Sequence, residues 1–208
     1  MRTIARIPAR HVALALAVAA LAPFVPATNA GAATTLTFNT SPLLGTLSAL
    51  TLNGRTQTTT TSTTLNDFAV TSSGTNAGWN MTVASVTGAG KSSVFKEYCP
   101  NATCGSDTGP GYVTGGYTLP ADSLTINTTG ASISGGTGTK PAFQCGSGCN
   151  VDTTTATKIL SATTAASLAE WTAAGTSTLT LTTPANLHKL QTNETYRINL
   201  VWTLNSGP

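Results

Sequence analysis

Apolar and polar residues alternate along several stretches of this chain, most regularly near its C-terminal end. Tyr196, Ile198, Leu200, Trp202 and Leu204 occupy every second position of one such stretch. Successive side chains of a β-strand point to opposite faces, so all five of these residues would lie on one face. The pattern therefore predicts a long strand with that face in a hydrophobic core.

Three shorter stretches show the same alternation, and each predicts a strand with one buried face. One of them follows the turn signal Asn76-Ala77-Gly78, and another ends at Pro184. The apolar positions of the three stretches are Trp79, Met81 and Val83, then Leu124 and Ile126, then Leu179 and Leu181.

A threonine-rich tract covers residues 56–64 and follows the dipeptide Asn53-Gly54. Asn-Gly provides the two positive φ values of a type I′ turn, which predicts a hairpin between residues 47–52 and the tract. A tract of this composition is also typical of a disordered, mucin-like linker. The turn before the tract, and the apolar Phe68 and Val70 after it, favour a strand.

The composition favours β structure, because Thr, Ser and Gly are abundant while good helix formers such as Lys, Glu and Gln are scarce. Only residues 167–174 have helical features: Ser167 and Glu170 could form a capping box, and Gly175 could end the helix. Residues 33–208 are enough for one domain with a real core. We therefore expect an all-β fold, a single antiparallel β-sandwich with Greek-key-like connections and a disulfide-containing loop region.

The first 32 residues have the three parts of a signal peptide. Arg2, Arg6 and Arg10 make a basic beginning, residues 12–25 are apolar, and Ala30-Gly31-Ala32 fits the small-x-small cleavage pattern. The apolar run is short and is interrupted by Pro23, with Pro26 directly after it, so a cleaved signal is favoured over an uncleaved membrane anchor. We therefore expect an extracellular, secreted domain at residues 33–208, with no membrane span after cleavage.

Removal of this segment changes the charge of the chain. The formal net charge is +3, and three of the ten basic residues lie in the signal, which leaves seven basic residues against the seven acidic ones. Nucleic-acid binding and attraction to anionic lipid both need clustered Lys and Arg. We therefore expect no nucleic-acid partner, and a partner bound through shape, hydrogen bonds and apolar contact instead.

Four cysteines form two close pairs, Cys99 with Cys104 and Cys145 with Cys149, and outside the cell disulfides are the default state. Local pairing would close two small loops and stabilise by about 2 kcal/mol per bond, whereas crossed pairing would close longer loops and give about 4 kcal/mol. The Gly and Ser residues between Cys145 and Cys149 favour local pairing. A four-thiolate zinc site is the remaining alternative, but its ligands are usually spaced more closely.

The sequence contains no recognisable active site. His188 is the single histidine after the signal and has no evident nucleophile partner, so it is interpreted as a surface loop residue. The carboxylates are scattered singly along the chain, whereas a glycosidase needs two of them beside one bond. The glycine-rich residues 135–140 lack phosphate-loop spacing, and Pro141 prevents the helix that would follow. We expect no catalytic residue, no cofactor and no metal.

Two tryptophan motifs lie on predicted strands, Trp79-Asn80-Met81 and Trp202-Thr203-Leu204. The second follows Tyr196 on the predicted last strand. Their order and position, together with the signal peptide, resemble the WxL domain of Gram-positive surface proteins, which has two Trp-x-Leu motifs. The resemblance extends over nearly the whole chain after the signal, although Met81 replaces the expected leucine and the cysteine-containing middle has the character of an insertion.

The resemblance implies non-covalent binding to the cell wall, chiefly to peptidoglycan, together with possible partner surface proteins. In that case the six motif residues are candidate binding residues. Residues i and i+2 of a strand share a face, so core packing of Trp79 and Trp202 is the favoured interpretation and direct wall contact the alternative. A structural or adhesive subunit that binds extracellular proteins is the main competing function, and a small secreted hydrolase is the weakest.

Overall fold

The computed structural model describes residues 17–20, 34–38, 47–48, 50–63, 68–72, 78–135, 140–163 and 169–206. Its regular structure consists of strands throughout these ranges. In chain order the strands are β1 (Ala17–Ala20), β2 (Thr34–Phe38), β3 (Gln57–Thr63), β4 (Phe68–Ser72), β5 (Trp79–Ser85), β6 (Lys96–Cys99), β7 (Thr103–Cys104), β8 (Asp107–Thr108), β9 (Gly111–Tyr112), β10 (Leu124–Asn127), β11 (Ala131–Gly135), β12 (Ala142–Phe143), β13 (Cys149–Asn150), β14 (Thr157–Ala162), β15 (Ala169–Gly175), β16 (Ser177–Thr183) and β17 (Thr195–Ser206).

These strands form three main sheets. The largest has seven strands, in the order β12-β14-β5-β17-β6-β9 with β1 as a further neighbour of β17. Two four-stranded sheets have the orders β13-β10-β16-β3 and β11-β15-β4-β2, and β7 pairs with β8 in a separate hairpin. The described strand pairs are antiparallel except for β1 with β17.

The hydrophobic core joins the seven-stranded sheet to the sheet that contains β10 and β16. Each apolar position predicted from the alternating pattern on β5, β10, β16 and the buried part of β17 lies in this core, because one face of each strand points inward. The expected all-β fold of antiparallel sheets is confirmed. Among the described residues, two sheets pack on a shared core, an arrangement typical of a β-sandwich, and neither sheet is closed.

Two local predictions are wrong. Residues 169–175 form strand β15 rather than a helix, because pairing with β11 and β4 on both sides outweighs a weak local helix signal. The Asn53-Gly54 dipeptide does make a bend, with Gly54 at φ 72°, but the described residues on either side of it form no hairpin. The threonine tract is a strand, as predicted, yet β3 pairs with the distant β16 over its whole length.

Both disulfides are local, as the sequence favoured. Cys99 bonds to Cys104 with a Cα–Cα distance of 5.6 Å, and Cys145 bonds to Cys149 at 5.3 Å. All four thiols are used in these bonds, so the zinc alternative is not the state of this structure. Disulfides are typical of proteins in an oxidising, extracellular environment.

The strand β1 lies inside the predicted signal peptide. Its residues pair in parallel with Arg197–Leu200 of β17, from Ala17↔Arg197 to Ala20↔Leu200. In the part of the chain that the structure describes, no helix is long and apolar enough to cross a membrane. The assignment of residues 1–32 to a signal peptide stays a prediction.

The buried Gly78 at the entry to β5 provides a test of the packing between β5 and β14. Its φ is 93°, and a Cβ built there would lie 2.5 Å from the backbone oxygen of Ala162. We expect Gly78→Ala to lower the free energy of unfolding by about 2 kcal/mol, through backbone strain and the steric clash. Gly54→Ala is the matched control, since its φ is 72° but nothing lies within 4 Å of the added carbon. Urea denaturation measures the free energy of unfolding of both variants. Equal losses for Gly78→Ala and Gly54→Ala would contradict the expected clash with Ala162.

Candidate functional site

The two tryptophan motifs lie side by side on neighbouring strands. In the antiparallel register of β5 with β17, Leu204 faces Met81 and Trp202 faces Val83. The side chain of Trp79 is completely buried, and that of Trp202 is 3% exposed. Both indoles belong to the core cluster. Their burial supports the packing interpretation, and a binding role for them stays a prediction.

Of the two polar residues in the motifs, Asn80 is hydrogen-bonded within the protein. Asn80 is buried, and its Oδ1 accepts a hydrogen bond from Asn205 Nδ2 at 3.1 Å. The same nitrogen donates to Thr82 Oγ1 at 3.2 Å. Thr203 and Leu204 are partly exposed on β17. Asn80 is therefore engaged with the neighbouring strand, which joins β5 and β17 on the face opposite the indoles.

A second surface consists of polar side chains on one side of a sheet. The outward side chains of the β13-β10-β16-β3 sheet are hydroxyls and amides, and we call them the threonine face. They are exposed or partly exposed, while the intervening residues of the same strands point into the core. The threonine face consists of Thr58, Thr60 and Ser62 on β3, Thr178, Thr180 and Thr182 on β16, Thr125 and Asn127 on β10, and Asn150 on β13.

Strand register aligns these side chains in rows. Thr60 lies opposite Thr180, which lies opposite Thr125, and Thr125 lies opposite Asn150. Neighbouring strands are about 4.8 Å apart and alternate residues of one strand about 6.8 Å apart, so the hydroxyls form a regular two-dimensional array. None of its nine members is charged. Sequence reasoning missed this surface because it depends on which strands pair, and β3 is more than a hundred residues from β16.

A second polar feature of the structure is a group of three carboxylates that lie close together. One oxygen from each of Glu97, Asp107 and Glu194 lies within 4.8 Å of the others. Glu97 and Glu194 are each 4% exposed, and Asp107 is partly exposed. We call these three residues the carboxylate cluster. Nothing in the sequence points to this cluster, because only folding brings positions 97, 107 and 194 together.

Strand pairing explains how the cluster forms. Glu97 on β6 lies directly opposite Tyr196 on β17, and Glu194 precedes Tyr196 by two positions. Directly paired residues share a face, so Glu97 points inward beside the buried Tyr196, and Glu194, in the loop just before β17, is buried beside Glu97. Asp107 comes from the β7–β8 hairpin, which the Cys99–Cys104 disulfide holds against β6.

Each carboxyl group accepts a hydrogen bond from an N–H group of the protein. Tyr117 N donates to Glu97 Oε2 at 3.0 Å. Gln191 holds the other two: its Nε2 donates to Asp107 Oδ2 at 2.7 Å, and its backbone N donates to Glu194 Oε2 at 2.7 Å. The three groups are thus fixed in position before any ligand binds.

The surroundings of the carboxylate cluster disfavour the negatively charged form of Glu194. Burial raises the pKa of Glu194 to about 7, and the neighbouring Glu97 and Asp107 act in the same direction. The ionisable side chains that perturb Glu194 are both carboxylates, so they add negative charge rather than neutralise it.

The remaining residue singled out from the sequence, His188, is exposed in the loop before β17. Its ring stacks on that of Tyr117, with centroids 3.4 Å apart, and its backbone oxygen accepts a hydrogen bond from Tyr196 Oη at 3.0 Å. This position agrees with the prediction of a surface loop residue. The glycine-rich residues 136–139 lie outside the described residues.

No protein-family model matches the sequence, and neither a characterised protein nor a solved structure matches it. The resemblance to the WxL domain therefore stays a prediction that rests on the motif residues alone.

Proposed function

We propose that this protein is an exported, non-catalytic domain that binds cell-wall polymer, chiefly peptidoglycan, without a covalent link. The observation that supports this function best is the threonine face, an uncharged and regular array of hydroxyls and amides on one side of a sheet. The surface would serve as the contact with the polymer, and the buried tryptophan motifs would stabilise the sandwich behind it.

The chemistry of the threonine face suits a glycan. Peptidoglycan strands repeat hydroxyl and acetamido groups along an extended chain, and a sheet repeats donors and acceptors at fixed spacings. A single hydrogen bond contributes only about 0.5–1.5 kcal/mol, so attachment would depend on many such contacts along the polymer. Because the array has no charge, binding would respond weakly to salt.

A hydrolytic function has less support. Glycosidases place two carboxyl groups about 5–9 Å apart on either side of a substrate bond. The two glutamates of the carboxylate cluster are nearly inaccessible, at 4% exposure each. A polymer substrate could not reach them without displacement of the protein that covers them.

One observation favours the competing function, a structural subunit that binds other extracellular proteins. Strand β3 is at the end of its sheet, and among the described residues it pairs only with β16. An exposed strand edge can pair with a strand of another protein. Such binding would use backbone groups of β3 rather than the side chains of the threonine face.

Sedimentation with purified peptidoglycan distinguishes these functions. We expect the protein to sediment at moderate salt and to remain bound at high salt. The double variant Thr60→Val/Thr180→Val removes two central hydroxyls but keeps side-chain shape and strand preference. It should bind at least about tenfold more weakly, which corresponds to about 1.4 kcal/mol, with an unchanged melting temperature.

The matched control is Thr118→Val/Thr172→Val, which removes two exposed hydroxyls outside the threonine face. It should sediment like the unaltered protein. Equal binding by both double variants would exclude the threonine face as the contact surface. Failure of the unaltered protein to sediment, together with a stable protein complex in the secreted fraction, would instead establish the competing function.

A further inference from the structure

We propose that the carboxylate cluster is a calcium-binding site, formed by Glu97, Asp107 and Glu194. One oxygen of each lies within 4.8 Å of the other two, which is close enough for all three to contact one ion. The cluster joins strand β6, the β7–β8 hairpin and the loop that precedes β17. The inference is independent of the proposed wall binding, because the threonine face belongs to a different sheet.

An unsatisfied atom within the cluster points to a missing ligand. Glu194 is 4% exposed, and its Oε1 is buried without a hydrogen-bond partner. A buried carboxylate oxygen without a partner is costly, and such atoms in native proteins usually have a water, an ion or a role in function. Since one oxygen of Glu194 lies within 4.8 Å of an oxygen from each of two more carboxylates, a cation is the partner that this environment favours.

The donor set indicates which cation. All three side chains offer hard carboxylate oxygens, whereas zinc favours nitrogen and sulfur donors. Calcium accepts six to eight oxygens in flexible geometry, and carboxylates can bind it through one or both oxygens. Magnesium demands a nearly ideal octahedron and keeps several waters, which a closed site with two nearly inaccessible glutamates does not accommodate.

The surroundings of the cluster are closely packed, which preserves the spacing of the oxygens. A Cβ on Gly116 would lie 3.0 Å from Glu97 Oε2, and a Cβ on Gly105 would lie 2.0 Å from Gln191 Oε1. Gln191 is in turn the residue that orients both Asp107 and Glu194. Close approach of two glycines therefore allows the loops to hold the ligands in place.

The disulfide between Cys99 and Cys104 connects two elements that contain ligands of the proposed site. The cysteine-containing segment therefore has a role in forming that site. The bond joins the end of β6, which contains Glu97, to the hairpin that contains Asp107. The bond limits the positions that the Asp107 carboxylate can adopt relative to Glu97. The other disulfide, between Cys145 and Cys149, has a loop of nearly the same length and lies on β13, away from the cluster.

Calcium titration of the exported protein tests the site directly. After removal of bound metal with a chelator, we expect a dissociation constant of about 10⁻⁴–10⁻³ M by calorimetry, typical of extracellular modules. Roughly 5 mM calcium should raise the melting temperature by about 4 °C, and magnesium should have a smaller effect. Terbium luminescence excited through the adjacent tyrosines provides a readout that does not depend on stability, and calcium should displace the terbium.

Substitutions of the proposed ligands test where the calcium ion binds. Asp107→Asn removes a partly exposed ligand, and Glu194→Gln removes a buried one; each should weaken binding at least about tenfold. Asp122→Asn is the matched control, since Asp122 is exposed, lies outside the cluster, and has a φ of 61° that asparagine also tolerates. It should bind calcium like the unaltered protein. Should Glu194→Gln fail to fold, Asp107→Asn decides the result alone.

The disulfides supply a second comparison. Cys99→Ser/Cys104→Ser should lose calcium affinity, whereas Cys145→Ser/Cys149→Ser should keep it, although both pairs close loops of similar entropy. The proposal is overturned if calcium neither binds nor raises the melting temperature, or if Asp107→Asn and Asp122→Asn respond to calcium alike.

Discussion

Replacing Trp79 with alanine should lower the free energy of unfolding by about 3–5 kcal/mol, the largest loss expected from one side chain of this protein. Trp79 is completely buried and is the largest such side chain in the core. Truncation of the indole would remove a large apolar surface from its contacts and leave a cavity that the surrounding strands fill only partly. Urea denaturation followed by circular dichroism measures the loss.

Sedimentation of Trp79→Ala with peptidoglycan shows whether this tryptophan acts in folding or in binding. If the motif tryptophans pack the core, Trp79→Ala should sediment with peptidoglycan normally at temperatures where it remains folded. Tyr117→Ala is the control for removal of an aromatic ring, since that side chain is 51% exposed and its loss should cost about 0.5 kcal/mol or less. Lost sedimentation with unchanged stability would show instead that the tryptophan motif contacts the polymer.

A second large effect is expected at Asn199, where Asn199→Ala should destabilise by about 3 kcal/mol. Asn199 is buried on β17, and its Oδ1 accepts hydrogen bonds from Ser92 N at 3.1 Å and from Tyr112 Oη at 2.5 Å. Burial raises the pKa of Tyr112 to about 12, so its hydroxyl remains a donor at physiological pH. Truncation would leave both donors without a partner in a poorly hydrated place.

Tyr112→Phe separates the two bonds. It removes one donor and leaves the bond to Ser92, so a loss of about 1 kcal/mol is expected. The difference between the variants then measures how firmly Asn199 holds the segment between β5 and β6 against β17. Equal losses for Asn199→Ala and Tyr112→Phe would mean that the bond to Ser92 contributes nothing to stability.

The strands that the sequence predicted correctly are those with apolar residues at every second position. On β17 and β16 the period of two is sufficient, because burial of one face requires a strand with that spacing whichever strand lies beside it. The cysteine pairing was likewise favoured by the short spacing within each pair. These features depend on local order along the chain.

Features that depend on distant neighbours were missed or wrong. The segment containing Glu170 has a local capping pattern, yet β15 has a strand partner on each side, and only the folded chain supplies them. The partner of β3 is β16 rather than the preceding segment, so the rows of the threonine face could not be anticipated. The carboxylate cluster depends on the register of Glu97 with Tyr196, which no pattern in the sequence specifies.

The position of β1 has a consequence if residues 1–32 are removed as the sequence predicts. Ala17–Ala20 supplies the one parallel pairing among the described strands, along Arg197–Leu200 of β17, and it lies within the predicted signal peptide. Cleavage after residue 32 would therefore leave a purely antiparallel set of the described pairs and would remove the hydrogen bonds between β1 and β17. Cleavage would thus change the hydrogen-bonding pattern of the seven-stranded sheet. The precursor and the cleaved protein should therefore differ in amide hydrogen exchange in the part of β17 that pairs with β1.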